Sequence, residues 1–223
     1  MISTETRLPS PAPTCLLGGV RVPDTEPIAE AVAYARQYNE PFLFNHVMRS
    51  WLFAAALAEI DRTPHDAEVL AVATILHDLG LSYTFNGPLR FEVEGANAAR
   101  DFAHEMGIVG RRGQLIWDGV ALNSTPSLAL HKEAEVALCS AGTVLDWSGQ
   151  GAEKLTEDQL GAILDAYPRL EMKHRFTDSV CGIVKTRPDT TYDNFARDFG
   201  ERFVPAYRAP STVDYLLNSP FDE

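Results

Sequence analysis

Ala73-Thr74-Ile75-Leu76-His77-Asp78-Leu79-Gly80 ends the most apolar run of this 223-residue chain with an imidazole and a carboxylate side by side. Upstream, Val69, Leu70, Val72, Ile75 and Leu76 leave nearly no polar face. The run therefore predicts a helix over Asp66–Leu79 at the centre of a bundle, capped around Pro64-His65-Asp66 and stopped by Gly80. His77 and Asp78 fall in its last turn, where side chains can project into a pocket. Both are good ligands for a divalent cation, and both are costly to bury unless something pairs with them.

Outward from that helix the periodicity stays helical. Glu26–Gln37 carries Ile28, Ala31, Val32 and Ala35 on one face. A second helix is expected over Phe44–Asp61, with Asn45 as N-cap, His46 in its first turn and Val47, Trp51, Leu52, Ala55 and Leu57 as the buried stripe. Further helices are expected over Val93–Met106, Arg111–Leu122, Lys132–Asp146, Thr156–Tyr167, Glu171–Lys185, Tyr192–Phe203 and Val213–Leu217. Residues 1–27, with five prolines and Gly18-Gly19, read as an extended N-terminal arm with a short strand around Val20–Val22. Residues 28–223 read as one all-α domain.

Composition narrows the function classes. At 45% hydrophobic residues the chain can bury a sizeable single core. Its net charge of −12 repels phosphates, which argues against nucleic acid and against an anionic membrane surface. No apolar run approaches the roughly 20 residues that span a bilayer, and no secretory signal is visible. Cys15, Cys139 and Cys181 are odd in number without paired spacing, so they read as reduced thiols of a cytoplasmic protein.

Four residues stand out. His46 opens one helix, His77-Asp78 closes the next, and Asp146 closes a later one in Thr143-Val-Leu-Asp-Trp-Ser-Gly149. Antiparallel helices place the start of one beside the end of the other, which brings His46 to the pair. A lone histidine on an apolar face is more often a core residue bonded to a carbonyl, and an aspartate near a helix end can simply cap the next turn. Asp118 is a rival for the fourth position.

His46, His77-Asp78 and Asp146, in that order and spacing, resemble the H…HD…D signature of the HD-domain superfamily of metal-dependent hydrolases over about residues 40–150. The words Phe44-Asn-His46, Leu76-His-Asp-Leu-Gly-Leu81 and Arg90-Phe-Glu-Val-Glu-Gly-Ala96 are similar to the cyanamide hydratase-like branch. The resemblance implies an HD-domain helical bundle holding one divalent metal ion through His46, His77, Asp78 and Asp146. Zinc is the leading choice, with iron or manganese as alternatives. It also implies a bound water that attacks a small polar substrate, cyanamide or a related nitrile-type compound. Asp78 would be catalytic as well as a ligand.

Other residues are expected to assist. Glu94, or Glu92, could take a proton from water or orient the substrate, although a carboxylate there can equally stabilise a helix N-terminus. Phe44, Tyr83, Asn123 and Thr125 are candidates for substrate binding, with Tyr83 and Phe85 in a loop placed to form a lid. Phosphohydrolases of the superfamily often carry an acidic residue soon after the HD pair, whereas Leu79-Gly-Leu-Ser-Tyr83 is neutral here. Arg49 and Arg90 are the nearby candidates for holding phosphate. An HD-type phosphohydrolase acting on a nucleotide is thus the alternative, and a non-catalytic HD ligand-binding module the third reading. The expected partner is a small-molecule substrate, and the last helices and the proline-rich arm offer surfaces for a homodimer.

Overall fold

Val69 through Leu76 are all buried, as a helix apolar on every face requires, and the other elements wrap around them. The structure, a computed structural model, describes residues 13–85 and 87–221. Residues 1–12 of the expected arm lie outside the described residues. The rest of the arm is an antiparallel hairpin, β1 (Thr14–Leu17) and β2 (Val20–Pro23), whose Val20 and Val22 are buried in the main core. The helices follow in order: α1 (Glu26–Tyr38), α2 (Pro41–Ile60), α3 (Ala67–Leu76), α4 (Phe91–Glu105), α5 (Gly110–Leu122), α6 (Pro126–Ala129), α7 (Ala134–Ser148), α8 (Glu157–Ala166), α9 (Met172–Thr186), α10 (Ala196–Phe203) and α11 (Thr212–Leu217). The fold is all-α, with the hairpin as its one sheet among the described residues. None of the described helices is long and apolar enough to cross a membrane.

Several boundaries differ from the sequence reading, each for a local reason. α2 begins at Pro41, whose fixed φ suits the first helical position, so Asn45 is inside the helix and donates to the Pro168 carbonyl at 2.8 Å. α10 begins at Ala196 because the Asn194 side chain accepts the Ala196 N–H at 3.0 Å. α3 stops at Leu76, with His77 as its C-cap, and the chain tightens into a 3-10 turn over Leu79–Leu81. Gly80 does not act as a left-handed stop. It lets that turn press against the start of α4, where a Cβ would run into the Phe91 carbonyl. Gly142 does the same between α7 and α2: a Cβ there would meet the Ser50 carbonyl and stand 2.7 Å from the Ala54 methyl. This close approach sets Asp146 against His46 and Arg49.

Two apolar clusters result. The larger gathers the hairpin and α1 through α8. The smaller joins Phe42 and Leu43 at the start of α2 to Met172, Phe176, Val180 and Val184 of α9, and to Ala196 and Tyr207. The candidate site opens at the seam between them.

Candidate metal centre

The end of α3 orients His77. The last carbonyls of a helix have no partner within it. One of them, Thr74 O, lies 2.8 Å from His77 Nδ1. A carbonyl can only accept, so Nδ1 carries the proton and the neutral ring presents a bare lone pair at Nε2. His46 is set in the same way by another acceptor. Its Nδ1 lies 2.6 Å from Asp146 Oδ2, so Nδ1 donates and Nε2 again faces forward.

These two Nε2 atoms converge on one carboxylate oxygen. Asp78 Oδ2 is 3.4 Å from His46 Nε2 and 3.3 Å from His77 Nε2. His77 Nε2 and Asp78 Oδ2 are buried and have no hydrogen-bond partner among the described residues. The three residues are almost fully buried, and three lone pairs aimed at one another repel unless positive charge lies between them. Edges of 3.3–3.4 Å are what neighbouring ligand atoms show when each lies about 2.1 Å from one tetrahedral ion.

The titration directions agree. Burial pulls the His77 imidazole down, but Asp78 and the Thr74 carbonyl outweigh it and lift the ring above the usual histidine range. Burial penalises the Asp78 carboxylate, yet His77 and His46 hold it below the usual range. The cluster asks for a cation, or failing that a proton.

Behind His46, Asp146 is itself anchored. It accepts from Nε and Nη2 of Arg49 at 2.6 and 2.8 Å, from Nη1 of Arg169 at 3.3 Å, and from His46. Each oxygen has two partners, which uses the lone pairs of both. Burial raises this carboxyl and the His46 and Arg49 contacts more than reverse that, so it stays far below the ordinary range. Asp146, the expected fourth ligand, meets the far nitrogen of His46 here. The convergent set is His46, His77 and Asp78, and Asp146 orients His46 from behind.

The HD domain family matches residues 43–169, more than half of the chain. The chain belongs to the HD domain family. HD domains are generally metal-dependent hydrolases that bind divalent metals, and the His46–His77–Asp78 cluster of this one could hold such an ion. No curated protein matches the chain.

The HD trio opens on a cavity of about 270 Å³. Of the four residues expected to bind substrate, Asn123 lines it, together with its neighbour Ser124. The other three do not. Phe44 is buried against Tyr167 with the Arg36 guanidinium 4.1 Å above its ring. Tyr83 is 92% exposed, and Thr125 begins the short α6 outside the lining. Glu94, expected to assist, lies apart from the trio. It points to another hollow, beside Tyr34 and Phe85, and accepts the Leu89 N–H at 2.9 Å. The neighbouring Glu92 is buried, bonded to Arg90 and to Ser124 Oγ, each at 3.0 Å. Asp118, the rival ligand, is held by Lys132 and Gln114 away from the trio.

Sequence reasoning missed Thr143, Trp147, Phe176 and Phe195 in the cavity wall, and Arg169 behind Asp146. Spacing could have found two of them, since Thr143 and Trp147 flank Asp146 on α7. Phe176 and Phe195 arrive from α9 and the start of α10 and carry no local signal.

Proposed function

We propose that this HD domain is a metal-dependent hydratase or hydrolase of cyanamide hydratase-like type, acting on a small uncharged nitrile-type compound. His46 and His77 through Nε2, and Asp78 through Oδ2, would hold one divalent ion, with zinc first and iron or manganese next. The observation that carries the reading is the pair of fixed tautomers. Asp146 and the Thr74 carbonyl each take an Nδ1 proton, so both rings offer lone pairs to the point that Asp78 faces.

A divalent ion bound there supplies Lewis acidity and lowers the pKa of water from 15.7 to about 7. The chain's own residues do the rest. Asp146, clamped by Arg49 and Arg169, keeps the His46 ring from turning. Thr143 Oγ1, buried and without a partner among the described residues, is free to donate to or accept from a reactant in the cavity. Asn123, whose Nδ2 is tied to the Val120 carbonyl at 2.7 Å, keeps its side-chain oxygen as an acceptor for substrate N–H groups. Trp147, Phe176 and Phe195 line the cavity beside the trio. Among the described residues no lysine or arginine lines the cavity, which speaks against the phosphohydrolase reading, because a phosphate needs paired cationic donors.

Elemental analysis of wild type beside His77→Ala tests the proposal. About one equivalent of metal in wild type, lost in the variant, with turnover of cyanamide or a simple nitrile by wild type alone, is the expected result. Wild type that takes up no metal after reconstitution would sink the mechanism and leave a ligand-binding module.

A further inference from the structure

Trp147, Phe176 and Phe195 form a contiguous aromatic wall on one side of the cavity. The Trp147 ring centroid is 6.5 Å from that of Phe176 and 6.5 Å from that of Phe195, and Phe176 and Phe195 are 6.3 Å apart and nearly parallel. Phe176 also stands edge-on to His46 at 6.1 Å, so the wall starts at the ligand cluster itself. The polar groups in the lining besides the trio are uncharged: Asn123, Ser124, Thr143, Ser148 and Gln150 among the described residues.

Size and charge then decide what fits. A cavity of about 150 Å³ with apolar walls admits benzene. This one is about 270 Å³, room for a six-membered ring and a reacting group together. Cyanamide, with three heavy atoms, would leave most of that volume to water held against aromatic faces. Among the described residues, Asp78 is the one carboxylate in the lining and no lysine or arginine accompanies it. Arg49 and Arg169 are engaged with Asp146, and Arg90 with Glu92.

Resting on the proposed reaction, we infer that the substrate is an uncharged compound with an aromatic body, its reacting group toward His46, His77 and Asp78 and its ring against Trp147, Phe176 and Phe195. A flat ring gains offset or edge-to-face contact with these side chains, and it gives up little hydration on entry.

Calorimetric titration of the full chain, metal-free and zinc-loaded, with benzonitrile, acetonitrile and phenyl phosphate tests this directly. Benzonitrile should bind at least about tenfold more tightly than acetonitrile in both forms, and phenyl phosphate should bind the metal-free form more weakly than benzonitrile. Trp147→Ala, at a position half open to solvent, should fold and lose most of the benzonitrile preference while acetonitrile binding stays within about twofold. Phe195→Leu checks the wall from the residue that precedes α10 and should lower the preference by a smaller factor. Equal binding of the two nitriles, or a preference unchanged in both variants, overturns the inference. Benzonitrile bound with the expected preference but never converted, along with cyanamide, would defeat the proposed reaction and leave the aromatic site standing. Cyanamide turned over while benzonitrile fails to bind would do the reverse.

Discussion

The cavity has two ends built from different parts of the chain. The polar end, His46, His77 and Asp78, comes from α2 and the close of α3, inside the segment that matches the HD domain. Two of the three rings of the aromatic end, Phe176 and Phe195, come from α9 and the start of α10, beyond that segment. The polar end depends on hydrogen bonds that fix one proton on each ring. The aromatic end depends on packing, which tolerates exchange of one apolar group for another so long as volume is kept. On the proposed reading, the polar end would carry the chemistry and the apolar end would set which molecule reaches it.

Arg49 joins the two ends, and removing it is the change expected to matter most. Its guanidinium is fully buried. It holds Asp146 on one side, and on the other the carbonyls of Tyr167 and Pro168 and the Met172 sulfur at the start of α9. Arg49→Met keeps most of the volume and leaves a buried carboxylate with too few donors. Breaking such a pair from one side costs about 3–5 kcal/mol. Urea unfolding should show that loss, and both metal uptake and benzonitrile binding should weaken. Loss of one with the other untouched would show that the ends are supported separately.

Asp146→Asn separates them. If Asp146 orients His46 without touching the ion, the amide still occupies the space but holds the ring less firmly. Outer contacts of this kind are worth about 10–100-fold in metal affinity. Competition with a chelator should show that drop, against full loss for His77→Ala, and benzonitrile should bind the metal-free variant as it binds wild type. A loss as complete as that of His77→Ala would return Asp146 to the ligand set.

How much of this was legible in the sequence follows the same division. His77-Asp78 could be placed because a polar pair closing a fully apolar helix has few other uses, and His46 because antiparallel helices juxtapose their ends. Asp146 stood out in the sequence, but Arg49 and Arg169 occupy its lone pairs, and no spacing shows which carboxylates are so engaged. Glu94 was drawn toward the site by its closeness in sequence to the HD pair. The tight packing of Gly80 on Phe91 sets the course of α4, and Glu94 ends on its outer side. Phe176 and Phe195 sit among many aromatics at ordinary helical positions. Only long-range packing brings them to the cavity.

A change that alters stability and leaves both ends alone gives the baseline for these comparisons. Asp66 is the N-cap of α3, at the far end from His77, and accepts from the backbone N–H groups of Glu68 and Val69 at 3.2 Å each. Arg112 donates to it at 2.7 Å. Burial raises the Asp66 carboxyl, but Arg112 and the two backbone donors outweigh that, so it titrates below the usual carboxylate range. A carboxyl held low in the folded state stabilises above its unfolded value, near about 3.9, and loses that contribution as pH falls through the folded value. Asp66→Ala should therefore cost about 1 kcal/mol, the usual worth of a cap, evenly from pH 5 to pH 8. The gap from wild type should close as the solution is taken well below about pH 4. Metal content and benzonitrile binding near neutral pH should match wild type, because the helix remains folded and its other end keeps the Thr74–His77 bond. A drop in metal affinity in this variant would mean that the lone-pair cluster responds to the stability of α3 as a whole, and the losses in Arg49→Met and Asp146→Asn would then need correcting for it before being assigned to either end.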